Sequence, residues 1–163
     1  MMYFLIRDIK IKKYSYLKYS TMIIYKSERL AMAKNLKVLL IDDSTIILTV
    51  MSEVLASISC VASIKTSSAP VQALQTIEEF KPDVLLLDIN MPEKNGIEVL
   101  KEVKEHYPAV KVIMLTNHST EYYRNTCYNI GAYHFIDKAN EFDQIAPLME
   151  KISTESDEIL KAM

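Results

Sequence analysis

Glycine, cysteine and tryptophan are scarce or absent in this chain of 163 residues. Two glycines, Gly96 and Gly131, are too few for a phosphate-binding loop of the GxGxxG or GxxxxGK type. The two cysteines, Cys60 and Cys127, form no CxxC motif, which argues against a disulfide framework or a zinc site and favours a reducing cytoplasm. No apolar run reaches the ~18 residues of a transmembrane segment, so none is predicted.

The charge is nearly balanced overall but unevenly distributed. The formal net charge is −2, which argues against direct binding of nucleic acid. Residues 1–31 form a basic, Tyr-rich extension with seven basic and two acidic side chains. Three explanations of this extension stay open: an arm that binds a membrane or an acidic partner, a poorly ordered tail, or residues that are not translated because the natural start is Met32.

Five short apolar runs alternate with amphipathic stretches after residue 35. The runs are Leu36–Ile41, Val61–Lys65, Val84–Leu87, Val110–Leu115 and Tyr133–Ile136. Because most are apolar throughout and do not alternate, they are typical of strands buried on both faces of a parallel sheet. The alternation predicts a doubly wound α/β sandwich.

The stretches between the strands carry apolar residues at helical spacing. The first has Ile47, Val50, Val54 and Ile58. Ser68 and Pro70 indicate the start of the second helix. Pro108 and Gly131 indicate the ends of the third and fourth helices, and Pro147 predicts a turn before the last helix restarts.

Polar residues follow the predicted strands, at the edge where ligands bind in open α/β sheets. They are Asp42, Asp43, Asp88, Thr116, Asp137 and Lys138. A lone Asp after a strand is usually a turn former. The carboxylates of Asp42, Asp43 and Asp88 would repel one another by up to roughly 4 kcal/mol per pair at this edge, so their convergence predicts a hard divalent cation such as Mg²⁺. An Asp nucleophile, a hydroxyl and a Lys beside this ion suit phosphoryl transfer.

On these motifs, residues 36–152 resemble the receiver domain of two-component response regulators. The matching segments are residues 39–44 (LLIDDS), 83–92 (DVLLLDINMP) with Gly96 beyond it, 112–116 (VIMLT) and 131–138 (GAYHFIDK). The resemblance implies a flavodoxin-like, doubly wound (βα)5 sandwich whose five-stranded parallel sheet has the order 2-1-3-4-5. Residues 153–163 are expected to form a tail or an extension of the last helix, too short for an output domain, so the chain would be a stand-alone, cytoplasmic response regulator.

The resemblance also assigns roles to individual residues. Asp88 would accept a phosphoryl group from a sensor histidine kinase or a phosphotransfer protein. Asp42, Asp43, Asp88 and the backbone carbonyl of Asn90 would hold Mg²⁺ or Mn²⁺. Lys138 and Thr116 would contact the phosphoryl oxygens. Self-phosphorylation and slow autodephosphorylation would be the chain's own chemistry.

A second set of residues would read out the phosphorylation. Thr116 and Phe135 are the expected switch pair, and the resemblance implies that Phe135 swings inward. Met91, Asn117 and His118 are expected to line the site. Tyr122 and Tyr133 are candidates for a face that binds an unknown downstream protein.

One departure from the family concerns Lys138, which is followed by Ala139 where the family usually has a cis proline. A cis bond before a residue other than proline costs about 2.5–4 kcal/mol, so a trans bond and a less firmly held Lys138 are expected. Three alternative functions remain: a phosphorylation-independent adaptor that uses the Tyr-rich face, a flavin-binding electron carrier, and a metal-dependent phosphatase. The carrier lacks the phosphate loop, and the phosphatase lacks an insertion for a substrate cap.

Overall fold

The computed structural model describes residues 35–117 and 119–161, and it describes side chains as far as residue 155. The predictions for residues 1–31 and for His118 lie outside the described residues. Within this range, strands and helices alternate as the sequence predicts. The strands are β1 (Leu36–Ile41), β2 (Val61–Ser67), β3 (Val84–Leu87), β4 (Lys111–Thr116) and β5 (His134–Asp137). The α-helices are α1 (Thr45–Ala56), α2 (Ala73–Phe80), α3 (Gly96–His106), α4 (Glu121–Ile130) and α5 (Ile145–Lys161).

The five strands form one parallel sheet in the order β2-β1-β3-β4-β5, which confirms the predicted fold and strand order. β1 pairs with β3 from Val38 opposite Val84 to Ile41 opposite Leu87. Both strands therefore end at the same level, and the residues that follow them meet at one edge of the sheet. β4 and β5 also pair in register, with Thr116 opposite Asp137.

Two apolar cores cover the two faces of the sheet. One contains Leu39, Leu85 and Phe135, and the other contains Leu40, Leu86 and Ile136. Neighbouring residues of a strand point to opposite faces, so a strand that is apolar at every position feeds both cores. β3 is apolar at all its positions, and β1 and β4 are buried in the same way apart from the partly exposed Lys37 and Lys111.

Two sequence interpretations need correction. β2 is not buried on both faces, because it is an edge strand and its side chains are partly or fully exposed. On α1, the predicted stripe is only partly correct: Val50 is exposed, whereas Met51 and Leu55 are buried, and Ile58, just beyond the helix, is buried as predicted. The helix sequence TIILTVMSEVLA is apolar on most sides, so apolar periodicity alone does not select one face.

The helices largely begin and end near the Pro and Gly residues that predict their boundaries. Gly131 adopts φ 111° at the end of α4, a left-handed conformation that glycine adopts readily. Pro70 opens a 3-10 turn, Pro70–Gln72, and α2 begins at Ala73. A second 3-10 turn, Phe142–Gln144, precedes α5, and Pro147 lies in the first turn of that helix, where its missing N–H has no partner to lose.

The compact unit that carries the sheet spans Asn35–Ser153. The division of the chain into an extension, a domain and a tail stays a prediction. None of the helices in the described ranges combines the length and the apolar character that a membrane span requires.

Candidate functional site

Three carboxylates meet where β1 and β3 end. Asp42 and Asp43 follow β1 directly, and Asp88 follows β3. One carboxylate oxygen from each lies within 4.8 Å of the others. Asp42 and Asp88 are 1% and 6% exposed, whereas Asp43 faces solvent. The cluster thus combines two buried acids with one acid that is exposed to solvent.

Local hydrogen bonds fix the two buried acids. The backbone N–H of Ser44 donates to Asp42 Oδ1 at 2.9 Å, and Ser44 in turn caps α1. The backbone N–H of Asp88 donates to the carbonyl of Ile41 at 3.0 Å, which extends the β1–β3 ladder by one residue. The position of Asp88 therefore follows from the strand pairing.

Gly96 allows α3 to begin directly against Asp88. A Cβ at residue 96 would lie 1.9 Å from the carbonyl oxygen of Asp88. The Gly96 N–H donates to the carbonyl of Ile89 at 2.8 Å, and Asn95 caps the helix in a capping box with Glu98. Only a residue without a side chain fits this approach of helix to strand end.

Lys138 supplies a cation to the two buried acids of the cluster. Its Nζ lies 2.5 Å from Asp42 Oδ2 and 3.1 Å from Asp88 Oδ1, and its side chain is 7% exposed. No described peptide bond is cis, so the Lys138–Ala139 bond is trans, as the absence of proline predicts. The ammonium nevertheless reaches both acids.

The electrostatic balance of the site remains negative. Burial raises the pKa of the Asp88 carboxyl above its ordinary value, the Lys138 ammonium lowers it, and the Asp42 carboxylate raises it further. The site contains three carboxylates and one ammonium, so a hard cation with a preference for oxygen ligands suits the donor set.

Comparison with known proteins decides the family. The family model described as the response regulator receiver domain matches residues 38–150. The chain belongs to this family. A protein-glutamate methylesterase/protein-glutamine glutaminase of Vibrio vulnificus is 38% identical over 92 residues, which are 55% of this chain and 27% of that protein. The DNA-binding transcriptional regulator NtrC of Escherichia coli is 32% identical over 111 residues, 68% of this chain and 23% of that protein.

A solved structure gives the same result. The response regulator domain of Thermotoga maritima CheB has a TM-score of 0.64 and 31% identity, and the match covers 75% of this chain and 98% of that one. The match spans 17–34% of the length of three of the curated relatives. The chain therefore matches only part of each of these relatives.

Thr116 lies at the end of β4 of this receiver domain and is fully buried. The backbone N–H of Lys138 donates to the Thr116 carbonyl at 3.0 Å. The structure therefore places Thr116 next to the residue that carries the ammonium, at the edge of the sheet that holds Asp88.

Phe135, the other switch residue predicted for the receiver, is fully buried in this structure. The guanidinium of Arg124 lies over its ring, 4.7 Å from the centroid, and donates to the Phe135 carbonyl at 3.0 Å. Arg124 also pairs with Glu141 at 3.0 Å. The ring thus already points inward and is covered from the α4 side.

The remaining predicted residues differ in their exposure to solvent. Asn90 and Asn117 are exposed near the strand ends, while Met91 is 8% exposed and belongs to the core. Tyr122 is 74% exposed, and its ring meets Tyr123 edge-on at 5.7 Å. Tyr133 is half-buried under the ammonium groups of Lys111 and Lys151. Tyr122 is therefore the more accessible of the two tyrosines.

Sequence reasoning missed Arg124, Glu141 and Ser119. Glu141 Oε2 accepts hydrogen bonds from Arg124 and from the backbone N–H of Asp137, both at 3.0 Å or less. The Ser119 hydroxyl donates to Asp137 Oδ2. These contacts connect residues that are 4–18 positions apart across loops, and no short sequence motif predicts them.

Proposed function

We propose that the chain is a phosphoacceptor response regulator in which Asp88 receives a phosphoryl group from a histidine kinase or a phosphotransfer protein. The observation that carries the proposal is the ion pairing of the Lys138 ammonium with the two buried acids, Asp42 and Asp88, of a cluster whose third acid, Asp43, is exposed to solvent. A carboxylate nucleophile next to a fixed cation can attack phosphorus.

The donor set of the site fits Mg²⁺ or Mn²⁺. Asp42, Asp43 and Asp88 offer carboxylate oxygens within 4.8 Å of one another, and the backbone carbonyl of Asn90 is a further candidate ligand. When bound, such an ion would neutralise charge on the phosphoryl oxygens.

Asp88, Lys138 and Thr116 would each have a separate role in phosphoryl acceptance. An Asp88 oxygen forms a bond to phosphorus while the bond from phosphorus to the donor nitrogen breaks, and that nitrogen keeps the electron pair. Lys138 would hold one phosphoryl oxygen, and the Thr116 hydroxyl would bind another. Water later attacks the phosphorus, and the bond to Asp88 breaks, which returns the carboxylate and releases phosphate. No further catalytic activity is assigned to the chain.

The phosphorylated state would act through a protein-binding face. Phosphorylation replaces the single negative charge of the Asp88 carboxylate with a phosphoryl group that carries about two, a net gain of about one negative charge at the end of β3. Movement of Thr116 toward this charge would change the packing around Phe135 and hence the surface that carries Tyr122 and Tyr133. The target would be another protein. The unbridged thiols of Cys60 and Cys127 support a reducing, cytoplasmic setting.

A phosphorylation-independent adaptor is the second candidate function. The burial of Phe135 under Arg124 favours it, because the ring already occupies the inward position expected of the switched state. In that case the Tyr122 face would bind its partner equally well with or without phosphate on Asp88.

Intact-protein mass after incubation with acetyl phosphate and Mg²⁺ tests the proposal. We expect wild type to gain one phosphoryl group and Asp88→Asn to gain none, with both variants folded. If wild type gains no mass from acetyl phosphate or from a phosphohistidine donor, the phosphoacceptor proposal is wrong and the adaptor is favoured.

A further inference from the structure

The carboxylate of Asp137 joins two loops beside the site. Its Oδ2 accepts hydrogen bonds from the Ser119 hydroxyl and from Asn140 Nδ2, the latter at 3.0 Å. Its Oδ1 accepts a hydrogen bond from the backbone N–H of Ala139 at 2.8 Å. Ser119 belongs to the loop between β4 and α4, whereas Ala139 and Asn140 follow β5. One side chain therefore links the loop between β4 and α4 to the turn that follows β5.

Lys138 is fixed at its backbone by these contacts. It lies between Asp137, which ends β5, and Ala139, whose N–H is held by the Asp137 carboxylate. Its own N–H donates to the Thr116 carbonyl. The bond from Ala139 exists because this residue has an N–H, which a proline would lack. The turn that aims the Lys138 side chain at Asp88 is thus organised by a carboxylate.

We propose that Asp137 is a positioning residue for phosphoryl acceptance, because its carboxylate fixes the turn after β5 and thereby holds the Lys138 ammonium beside Asp88. The inference rests on the proposed function of Asp88. Asp137 would act through Lys138, whose ammonium lies 3.1 Å from the Asp88 carboxylate. Asp137 itself would not contact the phosphoryl group.

The ionisation of Asp137 agrees with this role. Hydrogen bonds from Ser119, Asn140 and Ala139 lower the pKa of its carboxyl to about 2. The group is therefore an acceptor at both oxygens at neutral pH. An Asn at this position would keep the size but replace one acceptor oxygen with a donor NH₂, which cannot accept from Ser119 and Asn140.

A double-mutant cycle on the full chain tests the inference. Asp137→Asn, Lys138→Ala and the double variant are compared with wild type for the initial rate of phosphorylation by acetyl phosphate with Mg²⁺. We expect Asp137→Asn to lower the initial rate of phosphorylation about tenfold relative to wild type, which is less than the ~100-fold loss that a misplacement of 1 Å can cause. In the Lys138→Ala background it should cause no further loss, because the two residues act as one unit. An equal loss in both backgrounds, or no loss in wild type, would overturn the proposal.

Asp143→Asn is the matched control, because Asp143 is an exposed acid in the turn just before α5; it should leave the rate unchanged. Thermal unfolding monitored by circular dichroism verifies that the variants fold. If Asp137→Asn does not fold, Ser119→Ala takes its place, since it removes one donor to the same carboxylate, and a rate loss that depends on Lys138 is again required.

A second readout separates this inference from the phosphoacceptor proposal. The NMR signal of the Lys138 ammonium, identified by its absence in Lys138→Ala, reports the environment of that group without any phosphorylation. Asp137→Asn should shift or broaden this signal, and Asp143→Asn should not. If wild type takes up no phosphoryl group, the proposed function fails while the ammonium signal still decides the inference: an unchanged signal in Asp137→Asn overturns it.

Discussion

The Lys138 ammonium and the Asp88 carboxylate lie 3.1 Å apart although they are 50 residues apart in sequence. The ammonium is shared with Asp42 at 2.5 Å, so it neutralises part of the charge of two buried acids. Asp43, the third acid, faces solvent. The site therefore contains more acidic than basic groups, and one of its acids is accessible from solvent.

Removal of the exposed acid should weaken metal binding while leaving the fold intact. We expect Asp43→Asn to reduce Mg²⁺ affinity by at least about tenfold, because one of three anionic oxygen ligands is lost. Isothermal titration calorimetry measures this affinity. Asp143→Asn serves as the control, since it removes an exposed acid outside the cluster. Equal affinities for Asp43→Asn and wild type would place the ion elsewhere.

The glycine at the start of α3 should be necessary for stability. A Cβ at residue 96 would lie 1.9 Å from the Asp88 backbone carbonyl oxygen, so Gly96→Ala must displace either the helix or the strand end. We expect a loss of about 3 kcal/mol in the free energy of unfolding, measured by urea denaturation. Gly131→Ala should cost less, about 1–2 kcal/mol, because it introduces only backbone strain. A Gly96→Ala variant as stable as wild type would contradict the structure here.

Arg124 should hold Phe135 in its buried position. Arg124→Gln removes the cation over the ring and the ion pair with Glu141, and we expect a loss of about 1 kcal/mol in stability. The NMR signals of the Phe135 ring should broaden or split as the ring gains a second position. Arg124→Lys keeps the charge but lacks the planar fork, so it should restore only part of the effect. Unchanged ring signals in Arg124→Gln would show that the core alone holds Phe135.

Acid should remove the stabilisation that Asp137 provides. Its carboxyl has a pKa of about 2 in the folded protein, below the ordinary value of 3.8, because Ser119, Asn140 and Ala139 donate to it. Because the carboxyl has a lower pKa in the folded protein than in the unfolded chain, its ionised form stabilises the fold at pH values above 3.8. This stabilisation is lost as the pH falls from 3.8 toward 2. Urea midpoints measured over this range should fall less steeply for Asp137→Asn than for wild type. Parallel curves would mean that Asp137 is not hydrogen-bonded in this way.

The sheet and the acidic cluster could be predicted from sequence because both follow from local patterns. Strands with continuous apolar runs are buried in a parallel sheet, and Asp42, Asp43 and Asp88 come directly after such runs. The strand order came from the resemblance to receiver domains and not from the apolar pattern. Once that order is given, the pairing of β1 with β3 brings the acids together.

The contacts that hold Lys138 and Phe135 could not be predicted in the same way. Ser119 and Asp137 meet because two loops approach each other, and Arg124 covers Phe135 because of the orientation of α4. Neither contact follows from a regular spacing of residues in the sequence. The face of α1 was misassigned for a different reason, since apolar residues on several sides of that helix leave Val50 and Met51 equivalent by pattern alone.

Chemical trapping of the acyl phosphate tests the central claim most directly. Borohydride reduces an aspartyl phosphate to homoserine, so wild type treated with acetyl phosphate and Mg²⁺, then with borohydride, can be digested and mapped by mass spectrometry. We predict homoserine at residue 88 in wild type and none in Asp88→Asn or in wild type treated with a metal chelator. Homoserine at Asp42 or Asp43, or a phosphorylated protein with Asp88 unmodified, would contradict the assignment of Asp88 as the phosphoacceptor.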